Sequence, residues 1–259
     1  MPDEGIKDMP LNCQVITIDS MNTSKASRDL SKKSFISLVK SSEAVGNQFE
    51  PQIFSATCPE QVPAQMAQLQ LQWNYPWKDP VTDLATGLKK TPYPTQFANN
   101  RIACALSHYR LWIKCYAERT PMLIMEHDAY FTQRFKGHYS ILDDTRYDIV
   151  GINTPLGNTR KAQVFHQKVF KAQDPTHSPD KLDIVPVPAI DNFDVPQGLA
   201  GNSAYIIKPN GAMHLIAAVK RYGLWPNDAI MCKQLVPRMG VTKMYFTDCN
   251  HDLKSTTSQ

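Results

Sequence analysis

An apolar segment in this sequence stops on three polar residues. Met122-Leu123-Ile124-Met125 has the pattern of a buried strand and ends abruptly in Glu126-His127-Asp128, before Ala129 and Tyr130 resume the apolar run. Carboxylates at the carboxyl end of a central strand lie where open α/β sheets bind their ligands. Two positions apart, Glu126 and Asp128 share a face of an extended chain, and a tight turn would also converge them. Two such oxygens beside a diphosphate suit Mn2+ or Mg2+, which draws its other ligands from phosphate and water. A solvated loop after a strand is the other reading, and the triplet alone does not choose between them.

Further candidates are scattered along the chain. Asp228 follows Trp225 and Pro226 and precedes an apolar run. It reads either as the N-cap of a helix over 229–235 or as a general base that takes a hydroxyl proton. His108, beside Tyr109, is a hydrogen-bonded core histidine or a donor-site residue, and Ser107 is a helix residue that could bond to its own backbone. His251 is a tail residue or, because imidazole suits Mn2+, a further metal ligand. Trp73, Trp77 and Tyr93 sit in a proline-rich stretch, where they would stack on an acceptor sugar or anchor that stretch to the core.

The elements that must position these residues alternate. A β-rich run over 14–18 precedes a helix-compatible segment over 24–40, and 52–55 reads as a second strand. Ile102, Leu106, Tyr109, Ile113 and Tyr116 recur at helical spacing, so 102–118 is an amphipathic helix feeding the strand at Met122. Strands follow over 148–152, 203–207 and 241–246. Between the last two runs a helix with Pro209 in its first turn, with Ala212, Leu215, Ile216 and Val219 inward, and with a stop at Gly223. Strand–helix alternation predicts one α/β domain over 12–250, with tails at 1–11 and 251–259. Two proline-bearing regions, 58–97 with at most one helix and 155–192 with no clear period, read as insertions or loops.

Composition narrows the class. The chain has 259 residues, 42% hydrophobic and 20% charged, which is ordinary for a soluble globular domain. Its 28 basic and 24 acidic residues give +4 with no basic run, so no nucleic-acid partner is expected. The acidic N-terminus lacks the apolar core of a signal peptide, and no apolar stretch is long enough to span a bilayer; peripheral membrane contact stays open. Six cysteines without a C-x-x-C pair read as reduced core residues, which points to the cytoplasm.

Several ordered segments together resemble glycosyltransferase family 25, which includes lipooligosaccharide and collagen galactosyltransferases. Ile102-Ala103-Cys104-Ala105-Leu106-Ser107-His108-Tyr109-Arg110-Leu111-Trp112 is similar to the family's G-C-x-L-S-H-x-x-x-W helix, and the strand ending at Glu126-His127-Asp128 is similar to its E-D-D element. Ala200-Gly201-Asn202-Ser203-Ala204-Tyr205-Ile206-Ile207 with Gly211-Ala212 is similar to G-x-x-x-Y-x-I-x-x-x-G-A, and Pro226-Asn227-Asp228 to a P-x-D turn. The resemblance implies a GT-A-like fold, a mixed, mostly parallel sheet with helices on both faces. It implies an inverting transfer of a hexose, galactose first and glucose second, from a UDP-sugar to a saccharide or glycoconjugate hydroxyl. Asp228 would be the base, and Glu126 and Asp128, with His251, the metal ligands. Asp19, Ser107, His108, Glu126, His127, Gly201 and Asn202 would contact the donor. Two departures stand out: His127 replaces a carboxylate, and Ile16-Thr17-Ile18-Asp19-Ser20 lacks the Asn and Arg of the family's I-N-L-D-R element, a charge Arg28 would have to replace. A degenerate transferase acting as a sugar-binding module is the main alternative; a metal-dependent phosphohydrolase or nuclease is a second.

Overall fold

The computed structural model describes residues 11–21, 23–93, 95–158, 161–174 and 178–251. In chain order they form β1 (Asn12–Thr17), α1 (Lys25–Ala44), β2 (Pro51–Ser55), a 3-10 turn (Pro59–Gln61) running into α2 (Val62–Gln68), β3 (Val81–Thr82), β4 (Lys89–Lys90) and α3 (Ala98–Glu118). Then come β5 (Met122–Glu126), β6 (Ala129–Phe131), α4 (His138–Asp143), β7 (Ile149–Gly151), α5 (Ala162–Lys171) and β8 (Ile184–Pro186). The chain closes with β9 (Ala204–Ile207), α6 (Pro209–Tyr222), α7 (Asn227–Ile230), β10 (Met239–Thr242) and β11 (Thr247–Cys249).

Seven strands make one sheet in the order β2-β1-β5-β9-β7-β10-β8. β2, β1, β5, β7 and β10 run one way, whereas β9 and β8 run the other. The sheet is therefore mixed and mostly parallel. Its central strands are apolar on both faces, because both are covered. Met122, Ile124, Tyr205 and Ile207 pack with α3 and α6 into one core, and Leu123, Met125, Ala204 and Ile206 pack with Leu38 of α1 and Ile141 of α4 into the other. Alternate side chains of one strand enter opposite cores, as the pleat demands. This is the α/β arrangement expected from the sequence, consistent with a GT-A-like fold.

Local chemistry sets the element ends that matter for the site. Ser24 accepts the Ser27 amide at 3.1 Å and caps α1. Arg119, at φ 51°, terminates α3 in the left-handed region and turns the chain into β5. β5 lies between parallel β1 and antiparallel β9, so its carboxyl end opens where the strand direction reverses. Gly223, at φ +82°, stops α6, and an added Cβ would stand 2.6 Å from Asn74 Cβ.

The expectations need several corrections. The 155–192 region holds α5 and β8: Ala162, Phe165 and Val169 supply a buried helical face among polar neighbours, too short to read as a period. The helix expected over 229–235 is the single turn α7, and Asp228 lies inside it after an N-cap at Pro226. The strand expected over 241–246 ends at Thr242, and Thr247–Cys249 pairs instead with β6. Leu11, assigned to a tail, is buried.

The 58–97 region is a built wall. Beyond α2 it forms the β3–β4 hairpin, whose Lys90 pairs with Asp83 at 2.8 Å, with side chains only 3% and 7% exposed. Lys90 Nζ also donates to the Asn74 carbonyl and lies 4.4 Å from the Trp225 ring centroid. Removing one member of a buried ion pair strands the other charge, at about 3–5 kcal/mol. Lys90→Met is expected to lower unfolding free energy by about that amount in urea titrations, and Asp83→Asn combined with it to recover part of the loss.

Candidate functional site

The ladder of β5 carries its chain end to a cleft of about 1020 Å³. Glu126 leaves the sheet there, its amide still bonded to the Ser203 carbonyl at 2.9 Å, which draws the Gly201-Asn202 loop alongside. His127 and Asp128 form the turn into β6. Asp228 arrives on α7, whose Asn227 Oδ1 meets Cys104 Sγ of α3 at 3.6 Å, and Tyr93 comes from the 58–97 wall. All of these line the one cleft, so residues far apart in sequence meet at one end of the sheet.

Glu126 is fixed by a relay through the core. Trp112 Nε1–H donates to the Tyr205 hydroxyl at 2.9 Å, and that hydroxyl is 2.9 Å from His108 Nδ1. His108 Nε2 is 3.1 Å from Glu126 Oε1. A single direction of donation satisfies every group: tryptophan to tyrosine, tyrosine to Nδ1, and Nε2–H to the carboxylate. His108 is fully buried, whereas the Glu126 side chain keeps 29% exposure toward the cleft. Burial works to raise the Glu126 carboxyl, but the hydrogen bond from His108, aided by Arg101, holds it below the usual carboxylate range.

Asp128 is driven the other way. Burial and then the neighbouring Glu126 charge push its carboxyl up to about 7. Its Oδ1 is buried with no hydrogen-bond partner among the described residues. Asp228 is also raised: burial and Glu126 push it up against the opposing Arg101 charge and a Tyr93 hydrogen bond. Its Oδ1 likewise has no partner among the described residues. Two crowded carboxylates, one charged and one inclined to hold a proton, are the setting a divalent cation relieves, and the Asp128 Oδ1 can ligate one. Glu126 and Asp128 therefore fit the cation expected there.

Other expected residues separate into those at the cleft and those away from it. Asn202 lines it, 7% exposed, with neither amide atom bonded among the described residues. Gly201, at φ +88°, has Asn153 Nδ2 3.0 Å from where a Cβ would be, so only glycine brings the backbone this close. His127 lines the cleft too, but its ring bonds to the Ile16 backbone, and burial lowers its pKa. Ser107 is a lining residue whose hydroxyl donates to the Ala103 carbonyl and accepts the Thr57 amide. Asp19 is exposed outside the lining, accepting from Ser55 Oγ at 2.6 Å. Arg28 holds the carbonyls of Ser20, Met21 and Thr23. The structure does not bring His251 into the lining: it sits 3.6 Å from Asp248 and packs over Gly157.

The aromatic alternatives also resolve by position. Trp73 and Trp77 stack on each other at 5.0 Å outside the lining, and Trp73 Nε1 donates to the Tyr75 carbonyl, so both serve the wall. Tyr93 is in the cleft, stacked on Tyr75, with Arg101 4.8 Å from its centroid. Its bond to Asp228 joins residues with no local sequence pattern in common. Asp191 pairs with Lys161 at 2.5 Å on the cleft wall, whereas Asp194 is exposed outside it.

A carboxyl whose folded pKa is raised binds more protons when folded, so its contribution to stability falls as pH rises from about 4 through about 7. Asp128→Asn removes this strain. The variant is expected to exceed the parent in unfolding free energy by at least about 1 kcal/mol at pH 8, and the gain to vanish near pH 4. Equal stabilities at both pH values in metal-free buffer would contradict the crowding of Glu126 and Asp128.

The sequence profile described as Glycosyltransferase family 25 (LPS biosynthesis protein) matches residues 13–231, from β1 through α7 to the residue after it. No curated protein sequence matches the chain. The matched span contains the β5 turn, the His108 helix, the Gly201 loop and Asp228, and it covers most of the chain: the protein belongs to glycosyltransferase family 25.

Proposed function

We propose that the protein is an inverting hexosyltransferase that moves galactose, or failing that glucose, from a UDP-sugar to a hydroxyl of a saccharide or glycoconjugate. The observation that carries this reading is the convergence of Glu126, Asp128 and Asp228 on one cleft, with an unbonded buried oxygen on each aspartate. Membership of a glycosyltransferase family supplies the reaction class. Among the described residues no helix is long and apolar enough to cross a membrane, and the six cysteines are free; both suit our placement of the enzyme in the cytoplasm with peripheral access to an acceptor.

Asp128 and Glu126 would hold Mn2+ or Mg2+, which when bound neutralises charge on the departing diphosphate. The chain's own groups do the rest. Asn202 offers two amide donors and a carbonyl to the donor, and Gly201 lets the backbone approach it closely. Asp228 Oδ1 accepts the proton of the acceptor hydroxyl as that oxygen bonds to the anomeric carbon. The bond from that carbon to the diphosphate oxygen breaks, its electron pair leaves with the nucleotide, and the configuration inverts. A carboxyl raised by burial is a stronger base than an exposed one, which suits this role. Tyr93 is a positioning residue: its hydroxyl holds the other side of the Asp228 carboxylate, leaving Oδ1 toward the acceptor.

Calorimetry with UDP-galactose, with and without Mn2+, tests the site. Asp128→Ala is expected to lose Mn2+-dependent binding, and unchanged binding would remove Asp128 from the site. Asp228→Asn is expected to bind donor normally while transfer falls by about 10²–10⁴-fold; a binding module would show no transfer in the parent either. Tyr93→Phe removes a bond that lowers the Asp228 pKa. Activity should therefore be lost on acidification at a higher pH than in the parent, with donor KM little changed. An unshifted acid limb would make Tyr93 a wall residue only.

A further inference from the structure

Cys104 and His108 stand one helical turn apart on α3 and face the same cleft as Glu126. The Cys104 sulfur, a His108 ring nitrogen and a Glu126 carboxylate oxygen all lie within 4.8 Å of one another. A thiolate, an imidazole and a carboxylate from three protein residues, with a fourth position open to a cleft, is the donor set of an open zinc centre. The far nitrogen of the imidazole, Nδ1, lies 2.9 Å from the Tyr205 hydroxyl, itself fixed by Trp112, so a partner for the outer nitrogen is in place once the direction of donation between the two reverses.

We propose that Cys104, His108 and Glu126 form a binding site for a thiophilic divalent cation of the Zn2+ class, separate in chemistry from the oxygen site of Glu126 and Asp128. Sulfur and imidazole select Zn2+ or Cd2+, whereas the carboxylate pair suits Mn2+ and Mg2+. Binding forms metal–sulfur, metal–nitrogen and metal–oxygen bonds and breaks two contacts: the weak one from Cys104 Sγ to Asn227 Oδ1, 3.6 Å long, and the His108 Nε2–Glu126 Oε1 hydrogen bond, whose place the ion takes. The thiol proton leaves to solvent. The imidazole keeps one proton, which moves from Nε2 to Nδ1; Nδ1–H then donates to the Tyr205 oxygen, whose own hydrogen turns away from the ring. Burial first, and then the carboxylates of Glu126, Asp228 and Asp128, hold the Cys104 thiol protonated without a metal; the same carboxylates attract the cation that displaces the proton, while Arg101 opposes it.

Glu126 is common to both sites, so the two ions exclude each other. Zn2+ at the triad withdraws Glu126 from the donor's metal and stands beside Asp228, which makes the triad an inhibitory site. That consequence rests on the function proposed above; the binding does not.

The full chain titrated with Cd2+ tests the proposal through the ultraviolet charge-transfer band of a cadmium thiolate. One equivalent is expected to produce the band in the parent protein. Cys104→Ser, nearly isosteric and checked for its melting temperature, should abolish it and weaken Zn2+ binding in calorimetry by more than about 100-fold, since loss of outer partners alone removes about 10–100-fold. Asp128→Ala should keep the band while losing Mn2+-dependent UDP-galactose binding. A parent without the band, or an undiminished band in Cys104→Ser, overturns the site. If the band forms but added Zn2+ leaves transfer unchanged, the inhibition is overturned and the binding stands. If the parent transfers no sugar at all, the hexosyltransferase reading fails, and the band still decides the triad.

Discussion

The hydrogen bond from His108 to Glu126 is the junction on which the site depends. A fully buried imidazole keeps an ionised carboxylate at the end of an apolar strand, where desolvation alone would favour its protonation. Burial raises Asp128, two residues later, and Asp228, and the persisting Glu126 charge adds to the rise in both. Burial and this one charge together give the three acids different chemistry. The relay behind it, through Tyr205 on β9 and Trp112 on α3, ties the charge to the central sheet and its main covering helix. Few side chains could substitute there, since each is both buried and fully bonded.

Opposite this junction the cleft is closed by a wall that the sheet does not supply. The 58–97 segment is fixed by the buried Asp83–Lys90 pair and by aromatic contacts of Tyr75 with Trp225 and Tyr93. Trp225 immediately precedes the Pro226-Asn227-Asp228 turn, so the packing that anchors the wall also bears on the base-bearing turn. The rigid aromatic stack gives Tyr93 a defined approach to Asp228. A loop of this length would otherwise leave the base to solvent.

What was legible in the sequence follows from the range of the interactions involved. α3 could be read because Ile102, Leu106 and Tyr109 recur on one buried face, and α6 because Pro209 and Gly223 punctuate it. The abrupt end of β5 in charge was visible for the same local reason, and so were Glu126, Asp128 and Asp228 as candidates for one cleft. α5 was not legible, since its buried face is three residues among lysines and glutamines. β6 and β11 are three-residue strands that exist by pairing with each other across about half the domain. Tyr93 left no trace as a partner of Asp228, because only the folded wall brings them together. Arg28 and Asp19 carry charge near the expected nucleotide segment, and the structure gives each a partner the sequence did not announce: Arg28 binds its own loop and Asp19 binds Ser55.

His127 shows how a departure from a family pattern can be more than a lost charge. It follows Glu126, which pairs with Ile16 in the β1–β5 ladder, and its ring donates to the Ile16 backbone at the end of that ladder. A carboxylate at the same place would present an acceptor to an acceptor and would add a third negative charge beside Glu126 and Asp128. The half-buried imidazole is held toward its neutral form, so it closes the ladder without adding a negative charge beside the two acids. In this chain, then, the middle residue of the turn lines the cleft but is also bound to the sheet. All three residues of the turn line the cleft, but the His127 ring is tied to the end of the β1–β5 ladder while Asp128 Oδ1 is left without a partner among the described residues.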